Sequence, residues 1–339
     1  MIHLPAGKLS LLLDGQFGST GKGLFAQYIG MRNHVDVAVS NASSNAGHTF
    51  YYASSSKTKP ARTVVRHLPI SGILNKRSTI YLCAGAIINP DILLAEISDL
   101  NIDPARVIIH PRAAIIEPSD VAEERTNPSG VKTIASTMSG VGSALTRKIS
   151  RGARLAGDVP VLQQFVSVLD LQGLLADGCT AMMEVPQGMD LSLNHGFAYP
   201  YCTSRDITPS AALSDAGVHP RYLGAVAVSM RTFPIRVGNV IENEVVVGNS
   251  GPFYADSVET TWEDLGLGKE YTTCTKRVRR VATFSFLQYA KMLKVMCPDY
   301  VFLNFCNYLS PDNLAVLLPR LSEVTHLGFG PEVKDIRAV

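Results

Sequence analysis

The sequence predicts an α/β fold, a mainly parallel central sheet flanked by helices, and three stretches carry that expectation. "KLSLLLDG" (8–15) is a short apolar run that turns through glycines into "KGLFAQYIGMRN" (22–33), where Leu24, Phe25, Tyr28 and Ile29 fall at helical spacing. "VDVAVS" (35–40) and "STIYLCAG" (78–85) repeat the apolar strand pattern, and the second leads into the helical "PDILLAEISDL" (90–100). Strands alternating with helices build parallel sheets, and the ligand loops of such sheets lie beyond the carboxyl ends of the strands.

Further along, "RVIIHPRAAII" (106–116) and "TAMMEVPQG" (180–188) read as buried strands, while "DVPVLQQFVSVLDLQGLLADG" (158–178) carries apolar residues at helical spacing. The middle of the chain is therefore expected to be more helix than strand. No repeat, low-complexity segment or Pro/Ser-rich linker divides the 339 residues, so residues 1–339 are expected to form one elaborated α/β domain.

Composition narrows the function. With 46% apolar and 18% charged residues the chain buries a substantial core, and 31 Lys and Arg against 29 Asp and Glu leave no bulk field to draw it onto nucleic acid or an anionic membrane. Anions must be bound locally. The start "MIHLPAGKLSLLLDG" lacks the pattern of a signal peptide and no run has the length of a membrane span, so a cytoplasmic protein is expected. Cys83, Cys179, Cys202, Cys274, Cys297 and Cys306 are scattered without a C-x-x-C pair, which fits reduced thiols better than disulfides or zinc.

Five stretches carry candidate chemistry. "DGQFGSTGKG" (14–23) places glycines and Lys22 between a strand and a helix, where backbone N–H groups converge on phosphate. It is not a Walker A loop, which needs glycine at Gln16 and Ser or Thr at Gly23; an ordinary glycine-rich turn is the plainer reading. "SNAGHT" (44–49) sets His48 in a loop, as an acid or hydrogen-bond donor to a phosphoryl group or as a structural histidine. "IASTMSGVGSALTRK" (134–148) suits a second phosphate cradle and equally a flexible surface loop. "VPQGMDLSLNHGFAYPYCTS" (185–204) reads as a loop whose Gln187, Asn194 and Thr203 have the atoms to read a base edge. "YTTCTKRVRR" (271–280) concentrates Lys276, Arg277, Arg279 and Arg280, either a carboxylate-binding cluster or a solvated basic face.

In this order the stretches resemble the adenylosuccinate synthetase family. That family carries G-D-E-G-K-G, N-A-G-H-T, T-T-G-R-G-I-G-P, G-A-Q-G with H-G-T-Y-P-Y, and T-T-G-R-x-R-R. Here they stand as "GSTGKG", "NAGHT", "STMSGVGS", "VPQG" with "HGFAYPY", and "TCTKRVRR", from about Leu11 to Arg280, with a trace in "GFGP" (328–331). The resemblance implies a P-loop-NTPase-like α/β fold, a homodimer, and a ligase that phosphorylates the purine C6 oxygen before the aspartate amine displaces phosphate.

Carried over by position, the resemblance implies Ser19, Lys22 and His48 as catalytic residues. The triphosphate falls to Gly18, Ser19, Thr20, Gly21, Lys22, Gly23, Leu24, Gly47, His48, Thr49, Arg279, Asn304, Cys306, Gly328 and Gly330. The purine monophosphate falls to Ser19, Asn45, Ala46, Ser136, Thr137, Gln187, Thr203 and Arg277, with Arg151 supplied by the other subunit. L-Aspartate falls to Thr273, Cys274, Thr275, Arg277 and Arg279, and Mg²⁺ to Gly47 and Ser19.

Two departures matter. Ser19 occupies the family's Asp position, where the carboxylate takes the N1 proton and binds Mg²⁺; a hydroxyl is a far weaker base and ligand. The family's T-K-L-D, whose Asp reads the guanine amino group of GTP, aligns with "LNFC" (303–306). Guanine differs from hypoxanthine by an amino group beside N1, so a shorter side chain at residue 19 makes room for it. Both changes resemble a viral branch of the family that joins dGMP to L-aspartate with ATP or dATP, giving N6-succino-2-amino-2′-deoxyadenylate for 2-aminoadenine DNA. Met138 and Ser139, standing where the family has Gly and Arg, mark a rebuilt monophosphate side. The alternatives are an ordinary IMP- and GTP-using enzyme, or a nucleotide-binding module in which Ser19 is the lesion.

Overall fold

A computed structural model describes residues 2–52, 61–126, 133–273 and 275–339 of the chain. Its centre is a nine-stranded sheet. The strands in chain order are β1 (Leu9–Asp14), β2 (Val37–Ser40), β3 (Thr79–Leu82), β4 (Val107–Ile109), β5 (Ala181–Glu184), β6 (Leu223–Arg231), β7 (Tyr300–Asn304), β8 (Val324–Gly328) and β9 (Ile336–Ala338). Across the sheet they run β9-β8-β7-β6-β1-β5-β2-β3-β4. Every neighbouring pair is parallel except β8 with β9.

β1 sits in the middle because it is apolar on both faces. Leu12 joins the cluster built from Phe25, Ile29, Ala38, Ile80 and Phe302, while Leu11 and Leu13 join Val39, Met183, Val228 and Leu303 on the other face. A strand buried on both sides reads as a continuous apolar run rather than an alternation, as "LSLLL" does. Beside it lies β6, a nine-residue strand that was not expected from the sequence. The chain order reverses about β1, so the loops after β1, β2, β5, β6 and β7 open at the same edge, the usual place for a ligand in an open α/β sheet.

Most predicted elements are present, among them the helices Lys22–Gly30 and Pro90–Asp99. Three stretches differ. "RVIIHPRAAII" is two strands, β4 and the short Ala114–Ile115 that pairs with Ile87–Ile88, broken at Pro111. Residues 158–178 form a 3₁₀ segment, Pro160–Phe165, and a separate helix, Leu171–Ala176, because Asp170 caps a new start by accepting from the Gly173 N–H at 2.9 Å. "VGSALTRKI" is a helix, Val141–Ile149, rather than a flexible loop. Its cap comes from elsewhere: the Glu124 carboxylate accepts from the N–H groups of Gly140 (2.7 Å), Gly142 (2.8 Å) and Ser143 (3.3 Å).

The five cysteines that the structure describes are free thiols, as expected; Cys274 lies outside the described residues. No helix among the described residues is long and apolar enough to cross a membrane.

His67 is completely buried, and its Nε2 accepts from the Asn89 N–H at 3.2 Å. Burial, with the nearby Arg66 charge, pushes its pKa down to about 3. The unfolded chain therefore binds a proton near pH 6.5 that the folded chain refuses, so stability is lost as pH falls below that value, at ~1.4 kcal/mol per pH unit. We expect the urea midpoint to fall between pH 7.5 and pH 5, with a shallower fall in His67→Gln. His48 and His326 act in the same direction, so some fall remains in the variant; curves of equal slope would refute the assignment to His67.

Candidate active site

The loops at the carboxyl edge of the sheet enclose a cleft of about 550 Å³. Its floor is the loop after β1. Asp14, the last residue of β1, turns its buried carboxylate into that loop, where Oδ1 accepts from the N–H groups of Gln16 (3.0 Å) and Gly18 (3.2 Å). Oδ2 accepts from the Thr20 N–H (3.3 Å) and its hydroxyl (2.6 Å). Burial pushes the Asp14 pKa up, while Lys22 and these donors pull it down. Gln16 stands where a Walker A loop has glycine, and its amide grips the backbone of Arg231 on both sides (3.0 and 3.2 Å).

The helix Lys22–Gly30 begins at this floor with no side-chain cap, which leaves its N-terminus as a seat for an anion. Gly21 adopts φ 79°, and a Cβ there would stand 1.9 Å from Asn304 Nδ2. That approach lets Asn304 hold the Thr20 carbonyl at 3.3 Å from below. The Lys22 ammonium reaches the Val185 carbonyl; burial lowers its pKa, and Asp14 and Glu184 oppose the change.

His48 opens the hairpin strand His48–Tyr52, so it is the first strand residue after the loop rather than a loop residue. Gly47 before it packs so closely that a Cβ would lie within 2.9 Å of both Thr273 and Val64. Thr273 is thereby brought against the turn that leads into His48. Desolvation and the neighbouring Lys22 charge push the His48 pKa down to about 3, so the imidazole is neutral at pH 7 and donates from one nitrogen only. Elsewhere on the cleft wall, Asn45 Oδ1 accepts from Ser43 Oγ (2.8 Å) and Gln187 Nε2 (3.0 Å), and Thr137 accepts from Ser139 (2.9 Å).

The basic run is divided among different partners. Arg280 pairs bidentately with Glu259 at 2.6 Å, and Lys276 is exposed. Arg277 donates to the carbonyls of Ala135 (3.1 Å), Ser136 (2.8 Å) and Gly238 (3.1 Å), bracing the 135–137 loop from behind. Arg279 alone of the four lines the cleft, where its Nη1 donates to Ser19 Oγ.

The structure thus brings Gly18 to Gly23, Asn45 to Thr49, Ser136, Thr137, Gln187, Thr203, Thr273 and Arg279 to one cleft. Other expected residues lie elsewhere. Leu24 is in the core, Thr275 and Arg277 stand behind the wall, and Arg151 is exposed after the helix Val141–Ile149. Asn304 and Gly328 pack together under the loop, Gly330 packs on Asp335, and the Cys306 thiol points into the core toward the Leu303 carbonyl at 3.2 Å. Cys274 falls outside the described residues. Asp14, Glu124, Arg236 and Glu270 also stand on the cleft wall, with Arg231 behind it, none of them expected from the sequence as site residues. The partners of Glu124, Arg236, Glu270 and Arg231 lie outside their own stretches, and only Asp14, at a strand end before the glycine-rich loop it binds, carried a local signal.

Ser19 does not fit as a magnesium ligand, because its oxygen already faces the Arg279 cation. Among the described residues no group of three His, Cys, Asp or Glu gathers as a metal site.

Asp14→Asn exchanges an acceptor for a donor facing the Thr20 N–H. We expect a loss of roughly 2–3 kcal/mol in chemical denaturation and at least about tenfold weaker binding of a non-hydrolysable ATP analogue by calorimetry. Unchanged affinity would show that Asp14 does not shape the floor.

A family model described as adenylosuccinate synthetase matches residues 11–170 and 160–312. N6-succino-2-amino-2′-deoxyadenylate synthase of Vibrio phage phiVC8 is 36% identical over 97% of both chains. Adenylosuccinate synthetase of Pyrococcus sp. strain ST700 is 31% identical over 81% of this chain and 77% of its own. The solved structure of cyanophage S-2L succinoaminodeoxyadenylate synthetase, bound to dGMP and dATP as an energy donor, superposes with a TM-score of 0.84. It is 38% identical, with 98% of this chain and 95% of that one covered.

Proposed function

The chain belongs to the adenylosuccinate synthetase family, and we propose that it is a ligase joining L-aspartate to C6 of dGMP with ATP or dATP as phosphoryl donor. The product is N6-succino-2-amino-2′-deoxyadenylate. The observation that carries this reading is Ser19, a short uncharged side chain at the exposed tip of the loop that otherwise keeps its glycines and Lys22. An Asp there would crowd the 2-amino group of guanine; the hydroxyl leaves it space. The relatives named above and the intact cleft favour a changed substrate over a lost activity.

On this reading the triphosphate lies on the N-terminus of the helix Lys22–Gly30, with Lys22, His48 and Arg279 around the γ-phosphate. Asn45, Ser136, Thr137, Gln187 and Thr203 hold dGMP, and Arg151 of a second subunit reaches its 5′-phosphate in a homodimer. Thr273 and Arg279 face the aspartate, and Arg277 supports that site from behind. The guanine N1 proton leaves to water in the open cleft as O6 attacks the γ-phosphorus and the bond to the β-phosphate oxygen breaks, and neutral His48 donates a hydrogen bond to the transferring group. The aspartate amine then adds at C6, phosphate leaves with the C6 oxygen, and the displaced amine proton goes to solvent. Mg²⁺, when bound, would neutralise phosphate charge, and the backbone carbonyl of Gly47 in the cleft wall would help to hold it. Such substrates place the protein in the cytoplasm.

Phosphate release separates the readings. With aspartate present, dGMP with ATP or dATP is expected to be the best pair; IMP with GTP as the best pair would favour an ordinary adenylosuccinate synthetase, and no turnover with any pair a binding module. Ser19→Asp should lower kcat/KM for dGMP at least about tenfold (~1.4 kcal/mol) and raise any activity with IMP. Unchanged dGMP kinetics would sink the steric argument.

A further inference from the structure

The residue that replaces a carboxylate is held more firmly than a loop tip needs. Ser19 adopts φ 58°, a left-handed conformation unfavourable for a residue with a Cβ, and it is exposed to the cleft. Two arginines fix it there. Arg231 Nη1 donates to the Ser19 carbonyl at 3.1 Å, and Arg279 Nη1 donates to the Ser19 hydroxyl. Both guanidinium groups converge on Glu270: Arg231 bidentately at 2.6 and 3.2 Å, and Arg279 through Nε at 3.8 Å. The Tyr308 hydroxyl adds a third donor to that carboxylate at 3.0 Å. Arg231 is completely buried, stacks 4.0 Å from the Phe305 ring centroid, and has its backbone clamped by Gln16, so the assembly has little freedom to rotate.

A guanidinium has donors and no acceptor, so the hydrogen bond with Arg279 uses Ser19 Oγ as acceptor and turns the serine hydrogen away from Arg279, toward the cleft. A cation on the oxygen also makes a hydroxyl a better donor and a poorer base. Meanwhile the three carboxylates that line the cleft each serve donors of their own: Asp14 the loop, Glu124 the start of the helix Val141–Ile149, Glu270 the arginines. None stands in for the missing base.

We propose that Ser19, polarised by Arg279 and oriented through Arg231 and Glu270, is a hydrogen-bond donor to the purine N1 lone pair and not an acceptor of the N1 proton. This rests on the reading of the cleft as a dGMP site. In dGMP, N1 carries hydrogen and offers no lone pair in the ring plane. That proton leaves to water in the cleft as O6 is phosphorylated; N1 is then an acceptor, and it remains one in the product. The contact therefore strengthens along the reaction, which is what accelerates a chemical step, while Ser19 keeps its proton throughout. Arg231 and Glu270 are positioning residues.

The test compares two nucleotides that share the 2-amino group. dGMP has N1–H; the 5′-monophosphate of 2-aminopurine deoxyriboside has an N1 lone pair. Ser19→Gly removes the hydroxyl and relaxes the left-handed backbone, and Ser19→Ala removes only the oxygen. By calorimetry, both variants should bind the 2-aminopurine nucleotide about tenfold more weakly than the unmodified protein, with dGMP affinity changed less than about threefold. In turnover of dGMP, kcat should fall about tenfold with KM nearly constant. Equal or larger losses for dGMP would overturn the inference, since they would make the hydroxyl an acceptor of N1–H. If the unmodified protein binds and turns over IMP but not dGMP, the substrate reading fails as well; equal losses with intact dGMP turnover defeat the inference alone.

Discussion

The site depends on one carboxylate that never needs to meet a ligand. Asp14 gathers the N–H groups of Gln16, Gly18 and Thr20 around itself, so the loop after β1 is folded by an internal anion before an external one arrives. Hydrogen bonds to a charged acceptor inside the protein are strong, and a buried carboxylate without them is costly, so loop and side chain enforce each other. With those alternate N–H groups occupied, the open seat shifts to the uncapped start of the helix Lys22–Gly30. This explains how a loop that lacks a Walker A pattern still presents a seat suited to an anion: Gln16 ties it to β6, and Asn304 ties it to β7.

The same loop is embedded in paired charges. Lys22 lies between Asp14 and Glu184, and Glu184 is itself held by the Ser71 N–H and hydroxyl, each at 2.8 Å. On the far side Glu270 holds Arg231 and Arg279; burial alone would raise its pKa, but the arginines hold it below the usual range. A protein whose formal net charge is only +2 thus concentrates strong local fields in one cleft, which matches binding of small anions rather than of a polyanion.

What could be read from the chain was what local order encodes. The glycines and Lys22, the strands around them and the "NAGHT" turn are contiguous, and they fall where the resemblance puts them, on the cleft. What could not be read were pairings across hundreds of residues. Gln16 meets Arg231, Asn304 meets Thr20, and Arg279 meets Ser19, each more than two hundred positions away. The run "TKRVRR" illustrates the limit: its charges look like one cluster, yet Arg277, Arg279 and Arg280 point to three different sets of partners. The helix Val141–Ile149 carried no local start signal either, since its cap is Glu124, on the preceding helix, rather than a residue at its own start. Cys306 shows the converse, an aligned position whose side chain belongs to the core, with burial pushing its thiol up to about 12.

The exchange of a carboxylate for Ser19 therefore has two consequences that act together. An Asp at this tip would stand against Arg279 and neutralise it, leaving the pair to face the purine as a base beside a bound cation. With serine, no carboxylate is added at the tip, and the two guanidinium groups that share Glu270 keep a surplus of positive charge over that carboxylate beside the loop tip. That surplus suits a site in which a phosphoryl group is built onto the purine, because it stabilises the added negative charge in a desolvated cleft. Loss of the base and loss of its negative charge are one substitution, so the steric room for a 2-amino group and the electrostatic support for its phosphorylated form arise from the same atom count at residue 19.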